Sequence, residues 1–268
     1  MANFTLDELD LVKDKLNLIS FKRARFVISE NTRTLNGAEL LKKSNYHEFG
    51  KLMYDSHNGL KNLYEVSCVE LDFIVDYTKK LNYVAGSRMM GGGFGGCTIN
   101  LIGEHTDYNG GYVLPGTINK AINFEIFKVK KVYCEVKSAK INKSLIFEIN
   151  NIKKSKTHWH NYILGTIDYF LIKKNKITPF KCSIKSNLPI GSGISSSSAL
   201  ISGFAKAIIE LFELKYSKSD IVKIVSYVER NFIGLRGGIM DQFTINYGLK
   251  DNLILLNCDN SSYNYIQF

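Results

Sequence analysis

Twelve residues, Leu188-Pro189-Ile190-Gly191-Ser192-Gly193-Ile194-Ser195-Ser196-Ser197-Ser198-Ala199, join glycines and serines to the start of an apolar helical pattern. Glycines let a backbone turn tightly and approach a ligand. A helix N-terminus turns several N–H groups and the positive end of its dipole toward an anion. Serine hydroxyls add donors, and one can also ligate a phosphate-bound divalent cation. The chemistry is phosphate binding. No Gly-Lys-Ser/Thr occurs here, so this is not a Walker-type loop. The competing reading is a flexible Gly/Ser turn with an incidental helix cap.

Three further segments carry reactive or polar groups. Leu101-Ile102-Gly103-Glu104-His105-Thr106-Asp107-Tyr108-Asn109 is an apolar strand that runs into four adjacent polar side chains, two of them carboxylates. Donors and acceptors at such close spacing suit the hydroxyls of a sugar, although a polar hairpin turn would look similar. In Gly237-Gly238-Ile239-Met240-Asp241-Gln242-Phe243, a carboxylate follows paired glycines. It could reach into a cleft and orient, or take a proton from, an attacking hydroxyl. Glu229 sits late in a predicted helix, where it could complete a magnesium site with a serine of the loop or simply lie exposed beside Arg230. The run from Gly86 to Gly96 calls for close backbone approach almost throughout.

The elements that must hold these segments follow from periodicity. Residues 4 to 82 read as helical, with apolar spacing through Phe21–Leu41 and Phe49–Leu63. Ser67 is placed to cap a helix through Glu70, Leu71, Ile74, Val75 and Leu81. Beyond residue 97 the texture changes. Asp107 to Gly111 signals a turn, and the alternation from Ala121 to Val136 predicts paired strands. His160–Ile172, Ser197–Leu211 and Ser219–Phe232 are predicted helices, while Phe180–Ser186 and Leu253–Leu256 are predicted strands. The fold class is α+β, and any boundary between two domains falls in Gly86 to Gly96.

Composition bounds the remaining possibilities. A chain of 268 residues with 45% apolar and 22% charged side chains can bury a core and reads as globular. Its N-terminal stretch is acidic and helix-like, with no signal core and no long apolar run, so the expectation is a cytoplasmic protein without a membrane partner. The net charge of +10 comes from scattered lysines, such as Lys128, Lys130, Lys131, Lys137, Lys140 and Lys143. That favours a solvated basic surface over a nucleic-acid partner. The five cysteines are odd in number and include no C-x-x-C pair, which points to buried free thiols rather than disulfides or zinc.

Together the four segments resemble the galactokinases, within the GHMP family of sugar and small-molecule kinases. The resemblance extends to Lys22–Asn36, Ser56–Cys68 and Trp159-His160-Asn161-Tyr162. The GEHTDYN string favours galactokinase over the mevalonate and homoserine kinases. The resemblance implies galactose contacts at Glu104, His105 and Asp107, with Thr106 among them, although galactose and N-acetylgalactosamine are not distinguished. It implies an ATP phosphate loop at Gly191, Ser192, Gly193, Ile194, Ser195, Ser196 and Ser197, and a lesser nucleotide contact at Ser138. Magnesium ligands at Ser197 and Glu229 are implied as well, with ATP as co-substrate and Asp241 as the catalytic carboxylate acting on the C1 hydroxyl.

The order of these segments is reversed. Residues 1–98 resemble the family's C-terminal part and residues 99–268 its N-terminal part, with the joint inside Gly95 to Ile102. Thr98 stands where the family has an arginine that stabilises the transferring phosphate, and the family's middle segment, expected after Phe268, is missing. The expected architecture is therefore GHMP-kinase-like, two-domain, permuted and incomplete. Three functions fit: a working permuted galactokinase, a non-catalytic galactose- and ATP-binding relative, or an inactive recombined fragment. Thr98 favours the last two. Asp241, Glu229 and Ser197 favour the first.

Overall fold

The computed structural model describes residues 4–90, 98–188 and 195–267. The chain divides into two compact units that interleave in sequence. The first comprises Met1–Gly92, Ile99–Thr117 and Gly248–Phe268, and the second Gly93–Thr98 and Ile118–Tyr247. The glycine-rich run marks one crossing between them. The chain then re-enters the first unit twice, at Ile99 and again at Gly248.

Helices α1 (Leu6–Leu11), α2 (Leu18–Lys42), α3 (Tyr46–Gly59) and α4 (Val69–Thr78) open the first unit. Side-chain caps start the first three. Thr5 and Glu8 cap each other's backbone, Asn17 accepts from the Ser20 N–H, and Asn45 accepts from the Glu48 N–H. Ser67 does not cap α4. Its hydroxyl donates instead to Asp72 at 2.6 Å, Cys68 occupies the cap position, and the helix ends before Leu81. Helix α3 runs on into a π-helical turn, Leu60–Tyr64, closed by Glu65 at φ 61°.

These helices accompany a sheet built around β8 (Asn252–Asn257), whose Leu253–Leu256 run is wholly buried. On one edge β8 pairs antiparallel with β9 (Tyr263–Gln267). Its other edge takes β2 (Tyr112–Val113) and β3 (Pro115–Thr117) in one continuous register, Tyr112↔Asn257, Val113↔Leu256 and Gly116↔Leu253. Strand β1 (Thr98–Asn100) lies beyond β3. Ala38, Leu41, Phe49, Ile102, Leu114, Leu253, Leu255 and Ile266 form the core between helices and sheet.

In the second unit the strand order is β4 (Ile122–Lys128), β7 (Phe180–Ser186), β5 (Cys134–Ser138), β6 (Lys143–Phe147). The two strands predicted across Ala121–Val136 both form, but they are not neighbours. Strand β7 inserts between them, antiparallel to β4 and parallel to β5. A parallel neighbour requires a crossover, and α5 (His158–Ile172) lies in that connection. Helices α6 (Ser196–Leu211), α7 (Lys218–Val228) and α8 (Met240–Tyr247) complete the unit. Its core joins Val136, Phe180 and Ile184 to Ile163, Ile167, Ile201 and Phe204.

Cys134 and Cys182 are buried, and burial pushes their thiols up to about 11 and about 12. Cys68 departs from the expectation of buried thiols: at the start of α4 it is exposed. Among the described residues no helix is long and apolar enough to cross a membrane.

Candidate active-site residues

In the first unit, the segment from Asn100 to Asn109 has little regular structure, and buried charges from the helical region hold it. Glu30, in α2, is fully buried. One of its carboxylate oxygens accepts from the Gly103 N–H at 3.0 Å and the Ser56 hydroxyl at 2.5 Å, and the other accepts from Arg33 Nε at 2.8 Å. Gly103 adopts φ +101°, and a Cβ there would lie 2.7 Å from the Tyr112 carbonyl oxygen, so only glycine suits the position. Arg88 enters from the other side. Its guanidinium donates to the carbonyls of Asn100 (2.5 Å), Leu101 (2.7 Å) and Met89 (3.1 Å), and to Glu104 Oε1 at 3.0 Å. Glu104 is itself buried.

Beyond Glu104 the chain turns at His105, which sits in the left-handed region at φ 61°. Its imidazole stacks on Tyr64, with centroids 4.3 Å apart and planes at 14°, and its Nδ1 lies 2.5 Å from the Tyr108 hydroxyl. Tyr64 and Tyr108 are joined through their hydroxyls at 2.9 Å. Burial holds the His105 imidazole below the usual histidine range; the Glu104 charge opposes that effect and Arg88 adds to it. The ring is therefore neutral at neutral pH. Asp107 is half-buried and opens a short 3₁₀ turn, Asp107–Asn109, tied back by Asn109 Nδ2 to the His105 carbonyl at 2.7 Å.

Thr106, expected among the sugar contacts, also ties the turn together. It is fully buried, with its hydroxyl 2.7 Å from the carbonyls of both Gly103 and Tyr112, so it closes the turn.

The second unit places its polar groups on helix ends. Helix α6 starts at Ser196 after Ser195, which takes φ 55° and does not cap the helix with its side chain. The Ser195 hydroxyl thus does not compete for the first-turn N–H groups, the groups an anion would use. Gly191, Ser192, Gly193 and Ile194 lie outside the described residues. Ser196 and Ser197 are half-buried in the first turn, and Ser138 is half-buried at the end of β5.

Glu229, 9% exposed, begins a π-helical turn, Glu229–Ile233, that extends α7. Its Oε1 accepts from Ser198 at 3.0 Å, while its Oε2 would stand 4.0 Å from a Cβ on Gly237. A serine one position beyond the predicted Ser197, Ser198, thus bonds to Glu229. Asp241 lies in the first turn of α8, half-buried. Its neighbour Gln242 donates to the Gly238 carbonyl at 2.8 Å and to Ser226 of α7 at 3.3 Å, and Asn246 donates to Ser202 of α6 at 3.1 Å. These bonds tie the start of α8 to α7, which leads into Glu229, and its end to α6, which carries Ser198. A buried carboxylate bonded to a serine hydroxyl in the first turn of α6 is a pair of oxygen donors of the kind magnesium takes, since that ion keeps most of its coordination shell for water and phosphate.

Glu30, Ser56, Tyr64 and Ser198 were not predicted as site residues, and Arg88 was noticed only within its glycine run. No local pattern marks them. Their partners lie up to 73 residues away in sequence.

Three family models match. Residues 38–107 match GHMP kinases C terminal, residues 97–126 the Galactokinase galactose-binding signature, and residues 161–249 the GHMP kinases N terminal domain. The C-terminal match precedes the N-terminal one, and residues 97–107 fall within two matches at once. The galactokinase of Thermotoga maritima is 42% identical over 168 residues, covering 63% of this chain and 47% of that protein. The galactokinase of Clostridium tetani is 36% identical over 194 residues, covering 72% and 50% respectively. The chain thus spans about half the length of the curated relatives it matches. Among solved structures, Lactococcus lactis galactokinase complexed with galactose aligns with a TM-score of 0.60 at 28% identity, covering 74% of this chain and 52% of that one. Methanococcus jannaschii mevalonate kinase aligns with a TM-score of 0.54 at 26% identity, covering 64% and 54%.

Proposed function

Since the chain belongs to the GHMP kinase family and carries galactokinase-type segments in reversed order, we propose that it binds galactose and ATP and transfers the γ-phosphoryl group to the sugar's C1 hydroxyl. Glu104, His105 and Asp107 hold the sugar hydroxyls. The loop from Gly191 and the N-terminus of α6, through Ser195, Ser196 and Ser197, hold the ATP phosphates, with Ser138 as a lesser contact. Glu229 and a serine of α6, Ser197 or Ser198, hold magnesium, which when bound neutralises charge on the phosphates. Asp241 orients the C1 hydroxyl and takes its proton. The C1 oxygen–phosphorus bond forms as the bond between the γ-phosphorus and its bridging oxygen breaks, and ADP leaves.

The observation that carries this reading is the assembly of Ser198, Glu229, Gly237 and the start of α8 around one buried carboxylate. A dedicated sensor without turnover need not keep it. Thr98, standing in the place of the family's arginine, favours a second reading: galactose and nucleotide binding with little or no turnover.

A coupled ADP-release assay with galactose and ATP separates the two. Turnover that falls by about 10²–10⁴-fold in Asp241→Ala supports the enzyme, and Thr98→Arg should then raise the rate by on the order of 10²-fold. Thermal stabilisation by galactose without turnover supports the second reading. The absence of both signals would reject a sugar site in this chain.

A further inference from the structure

We infer that Arg88 is the positioning residue of the sugar cluster, and that it fixes both the main chain entering the cluster and the carboxylate of Glu104. The inference rests on the proposed galactose-binding role of Glu104. The Arg88 side chain is 1% exposed. Within this volume its planar fork meets four acceptors, namely the carbonyls of Met89, Asn100 and Leu101 and Glu104 Oε1. Two of these carbonyls immediately precede Ile102, Gly103 and Glu104. The next peptide N–H along the chain that is held by a buried charge is that of Gly103, on Glu30. An anion and a cation therefore clamp five successive residues, and the cation also reaches the side chain at the end of the clamp.

Guanidinium chemistry makes this arrangement possible. Five N–H donors in a rigid plane can serve carbonyls on one edge and a carboxylate on another, whereas the ammonium of lysine is a single centre on a flexible stem. A carboxylate already held in one orientation loses no rotamer freedom when a sugar hydroxyl binds, so ordering it costs the complex nothing. The competing account is a plain structural ion pair. Such a pair would influence stability but would not favour one ligand over another.

The test uses the full chain and four proteins: wild type, Arg88→Lys, Arg88→Met and the double variant Arg88→Met/Glu104→Gln. Calorimetric titration gives the Kd for galactose and, separately, for MgADP, and thermal unfolding gives the midpoint. In Arg88→Lys we expect the galactose Kd to rise by on the order of 30-fold, as for a buried charge pair that loses its geometry. The MgADP Kd should stay within about twofold, because the groups proposed to hold the phosphates ride on other elements, α6 and the turn that follows α7. An unchanged galactose Kd in folded Arg88→Lys overturns the inference. So does weakening of galactose and MgADP in equal proportion.

If wild type binds no galactose, the proposed function fails, and unfolding then decides whether Arg88 and Glu104 are coupled at all. Arg88→Met must then lower the midpoint further than the double variant, because it leaves Glu104 buried without its cation. Equal losses overturn the claim.

Discussion

The sugar cluster and the phosphate end solve the same problem, placing polar side chains accurately, by different means. In the first, no regular element between Asn100 and Asn109 is longer than three residues, and order comes from hydrogen bonds to distant residues: Gly103 to Glu30, Tyr112 to Asn31, and Arg88 to two carbonyls. In the second, Ser198, Glu229 and Asp241 ride on the ends of helices that pack on a large core. The difference suits the ligands. Sugar hydroxyls need directed acceptors, which a tightly bonded loop can supply, while phosphate needs converging N–H groups, which a helix end supplies without further construction. One device is common to both. A π-helical turn at the end of a helix carries Tyr64 in one region and Glu229 in the other, and the added residue shifts the register of the side chain.

If the sugar cluster depends on buried ion pairs and the phosphate end on helix ends with a carboxylate–hydroxyl bond, their responses to mutation should diverge. Glu30→Ala leaves the Gly103 N–H, Ser56 and Arg33 without their shared acceptor, and we expect a loss of about 3–5 kcal/mol in urea unfolding. Ser198→Ala removes one buried hydrogen bond and should cost about 1 kcal/mol, with its larger effect on MgATP affinity. Equal stability losses in the two variants would erase the distinction.

Acid should affect the first region next most strongly. His57 accepts the Met89 N–H at Nδ1 and faces Asp72 at Nε2, and burial holds it below its ordinary 6.5 despite the raising effect of Asp72. His105 is lowered in the same direction. The unfolded chain therefore binds more protons than the folded one below pH 6.5, so stability is present above that value and declines as pH falls through it. In His57→Gln, which keeps an acceptor and a donor but cannot titrate, the fall in thermal midpoint between about pH 7 and about pH 5 should flatten. An unaltered slope would assign the acid sensitivity elsewhere, for example to His160 of the second unit, which burial also lowers.

The smallest expected effect is that of Tyr64→Phe. It keeps the stack on His105 and loses only the hydroxyl contact with Tyr108. Galactose affinity should fall by no more than about tenfold, the equivalent of one neutral hydrogen bond. A larger loss would mean that the hydroxyl itself contacts the sugar.

Local patterns made the helices and several strands legible. Periodicity located α2 and α3, alternation located β7 within Phe180–Ser186 as predicted, and the Gly/Ser string marked the start of α6 within one residue. The sequence by itself also determined which residue types could serve a sugar, a phosphate and a proton transfer, because those signals lie in runs of a dozen residues or fewer.

Tertiary structure alone decided that β7 separates β4 from β5, that β2 and β3 return the chain to the first unit, and that Ser198 bonds to Glu229. It also decided that Thr106 closes a turn, and that Glu30 and Arg88 hold the loop. Each of these depends on which surfaces become buried together, and a buried charge declares its partner only when the chain has folded to exclude water from both.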